Sequence, residues 1–288
     1  MRALEPPPIA VAEAVQRALE EDLTPLGDLS SALLPDDAVA TAELVARQPG
    51  VLAGRACVAE TFRRIDPTVA LDWACADGAD LEAGTVVATV VGPLAAIVSA
   101  ERTALNFLGH LSGVATLTRA YVRAAAEGGS ARVWDTRKTT PGLRSLEKAA
   151  VRSGGGVNHR GNLSDWVMLK DNHLTRMGIG EAVAAARRQW PGRTVHVECD
   201  RMDQVVAALD AGADALLLDN MTPAEVRLCV STAEDHATAK GGRRPLLEVS
   251  GGVTLATIAE YAGTGADLIS IGALTNSAPV LDIGLDVR

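Results

Sequence analysis

The residues best suited to chemistry lie between Arg132 and Lys170, where an acidic chain turns basic. This stretch holds 8 Lys and Arg against 3 Asp and Glu, within a 288-residue protein of net charge −9. It runs Asp135-Thr136-Arg137-Lys138-Thr139-Thr140-Pro141-Gly142-Leu143-Arg144, then Asn158-His159-Arg160, then Lys170-Asp171-Asn172-His173. A local cationic cluster in a negative protein favours small, strongly anionic ligands over polyanions. The lysines sharpen the reading. Only Lys138, Lys148, Lys170 and Lys240 occur, against 23 arginines. Lysine offers a compact ammonium and arginine a flat fork, so lysines that survive such a bias mark positions needing an ammonium. Lys138 and Lys170, each just past an apolar run, are the strongest candidates, and Lys240 reads as a loop residue.

Other polar groups also follow apolar runs: Glu198, Asp219-Asn220, Ser250-Gly251-Gly252, and Gly272-Ala273 after Ile271. Glu198 and Asp219 are carboxylates able to hold Mg²⁺ or sugar hydroxyls, or to pair with neighbouring cations. Ser250-Gly251-Gly252 lets backbone N–H groups approach a phosphate, with a helix expected to start at Thr254. A plain tight turn would look similar. His159 beside Arg160 suits a carboxylate ligand, His196 inside an apolar run reads as structural, and His110, His173 and His236 show no metal-ligand spacing. Lys170 at a strand end also suits a Schiff base.

The elements that must position these groups follow from periodicity. Residues 9–22 and 101–111 have helical spacing, while 39–47, 69–73 and 85–91 read as strands, together an α+β unit over 1–115. From 116 to 275 six apolar runs (132–134, 166–169, 195–197, 215–218, 246–249 and 268–271) alternate with helical stretches, including 179–189, 202–211, 223–233 and 255–262. Such βα repeats predict a parallel sheet covered by helices. Chemistry after every strand, rather than at one switch point, predicts strands converging on one mouth as in an α/β barrel. Six strands make that barrel incomplete. Residues 276–288 are expected to pack back on the N-terminal domain, and 236–245 to form a basic loop.

Composition excludes several classes. The negative balance opposes nucleic-acid binding, and no apolar run is long enough to span a bilayer. Cys57, Cys75, Cys199 and Cys229 are too scattered for a C-x-x-C site and suit reduced thiols. Residues 1–8 lack a leader's apolar core, and a cytoplasmic location is expected.

The motif from Asp135 to Arg144, with Glu147-Lys148, Gly154-Gly155-Gly156, Asn158-His159-Arg160, Asn162-Leu163-Ser164-Asp165 and Lys170-Asp171-Asn172-His173, resembles the quinolinate phosphoribosyltransferase family. Glu21-Asp22, Gly27-Asp28 and Glu101-Arg102-Thr103-Ala104-Leu105-Asn106 extend the likeness upstream. Downstream it takes in Glu198, Asp219-Asn220, Ser250-Gly251-Gly252 and Ser270 to Thr275. The resemblance implies an N-terminal α+β open sandwich before an incomplete α/β barrel. It implies transfer of phosphoribose from phosphoribosyl pyrophosphate to quinolinate, with Mg²⁺-assisted loss of pyrophosphate and then of CO₂, giving nicotinate mononucleotide for NAD biosynthesis. Arg102, Thr136, Arg137, His159, Arg160 and Lys170 would serve quinolinate, and Lys138 and Lys170 would face the donor. Glu198 and Asp219 would serve ribose and metal, and Ser250, Gly251, Gly252, Ile271, Gly272 and Ala273 the 5′-phosphate. A homodimer is implied, with Arg102 reaching a partner's site. Ser30 stands where this family usually has Thr, and Trp166 and Met168 depart from its usual choices. A Schiff-base lyase using Lys170, a relative with another pyridine or pyrimidine acceptor, and a biotinyl-type carrier suggested by Gly78 to Gly92 are the rival readings. The carrier lacks a lysine before Lys138.

Overall fold

Burial follows the periodicities closely. In a computed structural model describing residues 5–288, Val11, Val15 and Leu19 are the buried face of helix α1 (Pro8–Leu23), spaced four apart as helix geometry requires. The reading of Met1 to Leu4 as part of a leaderless start lies outside the described residues. The order continues β1 (Val39–Ala46), β2 (Gly50–Val51), α2 (Arg55–Ile65), β3 (Ala70–Trp73), β4 (Asp80–Leu81), β5 (Val86–Pro93), α3 (Leu94–Gly128), β6 (Arg132–Trp134) and α4 (Arg144–Ser153). It then runs β7 (Val167–Leu169), α5 (Asp171–Leu174), α6 (Ile179–Gln189), β8 (Val195–Cys199), α7 (Met202–Asp210), β9 (Ala215–Asp219) and α8 (Pro223–Lys240). The chain closes with β10 (Leu246–Ser250), α9 (Ile258–Ala262), β11 (Leu268–Ser270), α10 (Ala273–Asn276) and β12 (Ile283–Val287).

The chain divides into two compact units. One comprises residues 1–119, 138–156 and 273–288; the other comprises 120–137 and 157–272. In the first, an antiparallel sheet has the order β12-β1-β5-β3. The C-terminal strand pairs with β1, Leu44 opposite Leu285. Ala42, Leu44 and Ala46 alternate inward from β1 and meet Val58 and Phe62 of α2 and Ile97 and Leu108 of α3 in one apolar core. Helical structure begins at Leu94 and ends at Gly128, well beyond 101–111. The extra turns are rich in alanine, the best helix former.

The turn before β1 is held by Asp28. Its carboxylate accepts hydrogen bonds from the Ser31 hydroxyl, the Ser30 and Ser31 amides at 3.0 and 3.1 Å, and the Ser99 hydroxyl at 2.9 Å. These donors, led by the Ser31 hydroxyl, lower its pKa to about 2. A depressed folded-state pKa stabilises the protein above the unfolded value, and the contribution is lost as pH falls toward 2. Asp28→Asn is therefore expected to melt below the parent at pH 7, with the gap closing between pH 4 and 2. A gap that does not depend on pH in thermal melts would contradict this.

In the second unit six parallel strands take the order β6-β11-β10-β9-β8-β7. All six apolar runs are strands, and β6 and β7, adjacent in sequence, are the two edges, so the barrel is incomplete. An isolated parallel bridge from Trp134 to Val157 is the only pairing added beyond β6 among the described residues. Gly128 lies where an added Cβ would sit 1.7 Å from the Ala259 carbonyl oxygen, so only glycine permits that approach. The expected 236–245 loop is partly helix: α8 continues to Lys240 and stops at Gly241, whose φ is 65°. His236 and Lys240 both reach Asp210, at 3.1 and 3.3 Å, and Arg244 grips Asp267 with two bonds of 2.6 and 3.1 Å. These ion pairs turn a basic stretch into packed structure.

Candidate active site

Asp135 follows β6 and is wholly buried. Its Oδ1 accepts from the His159 amide at 2.8 Å and its Oδ2 from the Asn158 side-chain amide at 2.7 Å. A buried carboxylate is tolerated when hydrogen-bonded in this way. The effect is to tie the Asn158-His159-Arg160 segment to the end of β6, where Thr136 and Arg137 emerge half-buried.

Arg160 is the most constrained cation of this unit. It is 8% exposed; its Nη1 donates to the Trp166 carbonyl at 3.4 Å, while its buried Nε has no hydrogen-bond partner among the described residues. Burial, and then repulsion from Arg137, hold its pKa below the usual arginine value. Two guanidinium groups brought into mutual repulsion in a poorly solvated place favour an anion between them. A carboxylate would use both forks.

Lys170 ends the β7 strand segment as the N-cap of α5, and its ammonium contacts the Glu198 carboxylate of β8. Lys170 is thus held against a carboxylate of the neighbouring strand. Asp219 closes β9, with Oδ2 accepting from the Asn220 amide at 2.7 Å. Asp219 lies in register beside Ser250 at the end of β10, and the Asn220 backbone N–H, distinct from the side-chain amide that meets Asp219, donates to the Ser250 carbonyl at 2.8 Å. Gly251 and Gly252 follow at φ of 92° and 64°. A Cβ on Gly251 would fall 2.2 Å from Asn220 Oδ1, so the loop needs glycine for space as well as for conformation. The helix expected at Thr254 starts later: α9 begins at Ile258, because Thr254 and Thr257 fold the intervening residues into a turn through their hydroxyl and backbone bonds. Any phosphate affinity here rests on loop N–H groups rather than on the dipole of a five-residue helix. Ile271 is buried and Gly272 half-buried just after β11.

Arg102, Lys138 and Ala273 belong to the first unit. Arg102 is exposed on α3, Lys138 is exposed with its carbonyl accepting from the Thr275 hydroxyl at 2.9 Å, and Ala273 opens α10. The loop after Lys138 is anchored by buried Glu147, which accepts from the Thr140 amide at 3.1 Å and contacts His110 at 2.9 Å.

Sequence reasoning passed over Glu248. Glu248 is fully buried within β10, with Oε2 at 3.2 Å from His196 Nε2 and 3.6 Å from His159 Nε2, and Ser270 donates to Oε1. A carboxylate within the apolar run Leu246 to Val249 was the available signal. Burial alone would raise the Glu248 pKa, but the nearby His159 and His196 imidazoles and the Ser270 hydroxyl together bring it below the usual range. Burial drives His196 down to about 4, against the pull of Glu248. Glu248, His159 and His196 form a group of three described residues whose ligand atoms lie close enough together for a metal ion.

Comparison with known proteins identifies the family. Residues 28–112 match the quinolinate phosphoribosyl transferase N-terminal domain and residues 114–286 its C-terminal domain. The nicotinate-nucleotide pyrophosphorylase [carboxylating] of Mycobacterium leprae is 40% identical over 96% of this chain and 97% of its own length. The Homo sapiens enzyme of the same name is 37% identical over 98% and 93%. The structure of the nicotinate-nucleotide pyrophosphorylase from Francisella tularensis superposes with a TM-score of 0.91 at 34% identity, covering 99% of this chain and 98% of that one. No helix among the described residues is long and apolar enough to cross a membrane. The chain belongs to the quinolinate phosphoribosyltransferase family.

Proposed function

We propose that this protein transfers the phosphoribosyl group of phosphoribosyl pyrophosphate to the ring nitrogen of quinolinate and decarboxylates the adduct, giving nicotinate mononucleotide, pyrophosphate and CO₂. The observation that supports the reading is a buried Arg160 guanidinium within electrostatic reach of Arg137, two cationic forks that suit an acceptor with more than one carboxylate. Family membership supplies the donor. Arg137, Arg160, Thr136 and Lys170 hold the two carboxylates, and His159 supports that grip. Glu198 and Asp219 take the ribose hydroxyls, and the N–H groups of the Gly251-Gly252 loop, with Gly272, take the 5′-phosphate. Lys138, next in the chain to Arg137, faces the departing pyrophosphate. Fixed cations acting where charge develops are the main source of rate here.

Glu198 and Asp219 are hard oxygen donors at neighbouring strand ends, which suits Mg²⁺ bound mainly through substrate phosphates. When present, the ion would neutralise charge on the leaving pyrophosphate. After transfer the ring nitrogen is cationic, so the electron pair left at C2 when CO₂ departs is stabilised beside it and then takes up a proton from solvent, leaving C2–H in the product. The protein's part is to hold the ring and exclude water.

Incubation with quinolinate, phosphoribosyl pyrophosphate and Mg²⁺ is expected to release pyrophosphate, and omission of either organic substrate to stop it. Release that proceeds equally well without quinolinate would remove the acceptor from the proposal.

On the strength of the family resemblance we further propose that Arg102 serves the site of a partner subunit within a homodimer. Arg102→Ala and Lys138→Ala proteins should each be nearly inactive, yet regain activity when mixed, because some mixed dimers carry one intact composite site. No recovery after demonstrated subunit exchange would remove Arg102 from a shared site.

A further inference from the structure

The His159 ring is boxed in by aromatic groups. Its centroid is 4.5 Å from that of Trp134, 5.0 Å from Trp166 and 6.1 Å from His196. Its Nδ1 accepts a hydrogen bond from the Arg160 backbone amide at 2.8 Å. A neutral imidazole has one donor and one acceptor nitrogen, so an accepting Nδ1 leaves the proton on Nε2. That N–H faces Glu248 Oε2, 3.6 Å away. Oε2 of Glu248 and Nε2 of His196, both buried, have no well-aligned partner among the described residues. The carboxylate therefore retains acceptor capacity on the side where His159 presents its proton. Its other oxygen is fixed by Ser270.

The spacing of the three ligand atoms would also admit a divalent metal ion, whose bonds of ~2.0 to 2.2 Å place donors about 3.3 Å apart. A metal needs the Nε2 lone pair of His159, which the Arg160 contact at Nδ1 denies to the neutral ring. The nearby Arg160 charge also opposes a second cation. The geometry favours a proton in that place.

We propose that Glu248, set by His196 and Ser270, is a positioning residue for acceptor binding: it holds the His159 ring in its Nε2–H form, and through Nδ1 that ring fixes the Arg160 backbone and guanidinium. His159 then acts on substrate through Arg160. Glu248 also adds a favourable attraction to the Arg160 charge, smaller than that of Asp165. This deepens the proposed function and rests on it for the identity of the acceptor.

Two measurements test it. In the free protein, ¹⁵N–¹H correlation spectra of the histidine rings should show His159 protonated at Nε2 and not at Nδ1, with the Nε2 signal moving in Glu248→Gln. In steady-state kinetics Glu248→Gln should raise the KM for quinolinate at least tenfold and leave the KM for phosphoribosyl pyrophosphate within twofold, with Glu248→Asp recovering part of the loss. A His159 proton on Nδ1 would overturn the proposal. So would one equivalent of tightly held divalent metal lost in His196→Gln, or a parallel rise in both KM values. If quinolinate is not turned over at all, the function reading fails, and the ring spectra of the free protein still decide the positioning claim.

Discussion

Lys170→Ala is expected to lower kcat/KM by about 10²- to 10³-fold, the range found when one fixed electrostatic group is removed from a site built around developing charge. Its fold should survive, because Lys170 ends a strand rather than filling the core and is part-exposed. Lys170→Arg should fail almost as badly. The ammonium sits directly against Glu198, and a planar fork needs more width and a different approach to the carboxylate. The chain has 23 arginines and four lysines, so an arginine there would have been the cheap choice. Near-normal turnover by Lys170→Arg, with unchanged circular dichroism, would refute the requirement for an ammonium.

Much of this was legible in the residue pattern, and the reasons are physical. Parallel strands covered on both faces read as unbroken apolar runs, so all six could be located, and the sharp change from Leu169 to Lys170 or Leu218 to Asp219 marked their functional ends. The N-terminal strands showed because they alternate. Glu248 stood out only as a charge inside an apolar strand, and only the fold shows that His159, His196 and Ser270 surround it. Asp135 was visible in its motif, but its task of holding Asn158 and His159 depends on a contact 23 and 24 residues away. The split of 138–156 from the residues on either side was equally invisible. A linear reading assigns consecutive residues to one domain, whereas helix α4 uses its buried face, Leu146 to Val151, in the first unit. The helix expected after Gly252 was misplaced because a Gly-Gly-Val-Thr sequence reads as a helix start, while the Thr254 and Thr257 hydroxyls close a turn first.

Nicotinate, with one carboxylate, should be discriminated against by more than a hundredfold in kcat/KM relative to quinolinate, with two. Arg137 and the buried Arg160 already repel one another, and an acceptor bringing a single carboxylate leaves buried cationic charge under-compensated. An uncompensated buried charge costs several kcal/mol, and even about 3 kcal/mol exceeds a hundredfold. Phthalate, with both carboxylates and no ring nitrogen to attack, should bind and inhibit competitively with quinolinate. Arg160→Ala should erase most of the preference by weakening quinolinate more than nicotinate. Comparable turnover of the two acids by the parent enzyme would place the cations elsewhere in the reaction.

The most direct test of the central claim is a count of products in one reaction. With quinolinate labelled at the C2 carboxyl, phosphoribosyl pyrophosphate and Mg²⁺, labelled CO₂ and pyrophosphate should appear in a ratio of one to one, alongside unlabelled nicotinate mononucleotide. Pyrophosphate released without labelled CO₂, or with the label retained in the nucleotide, would contradict the account.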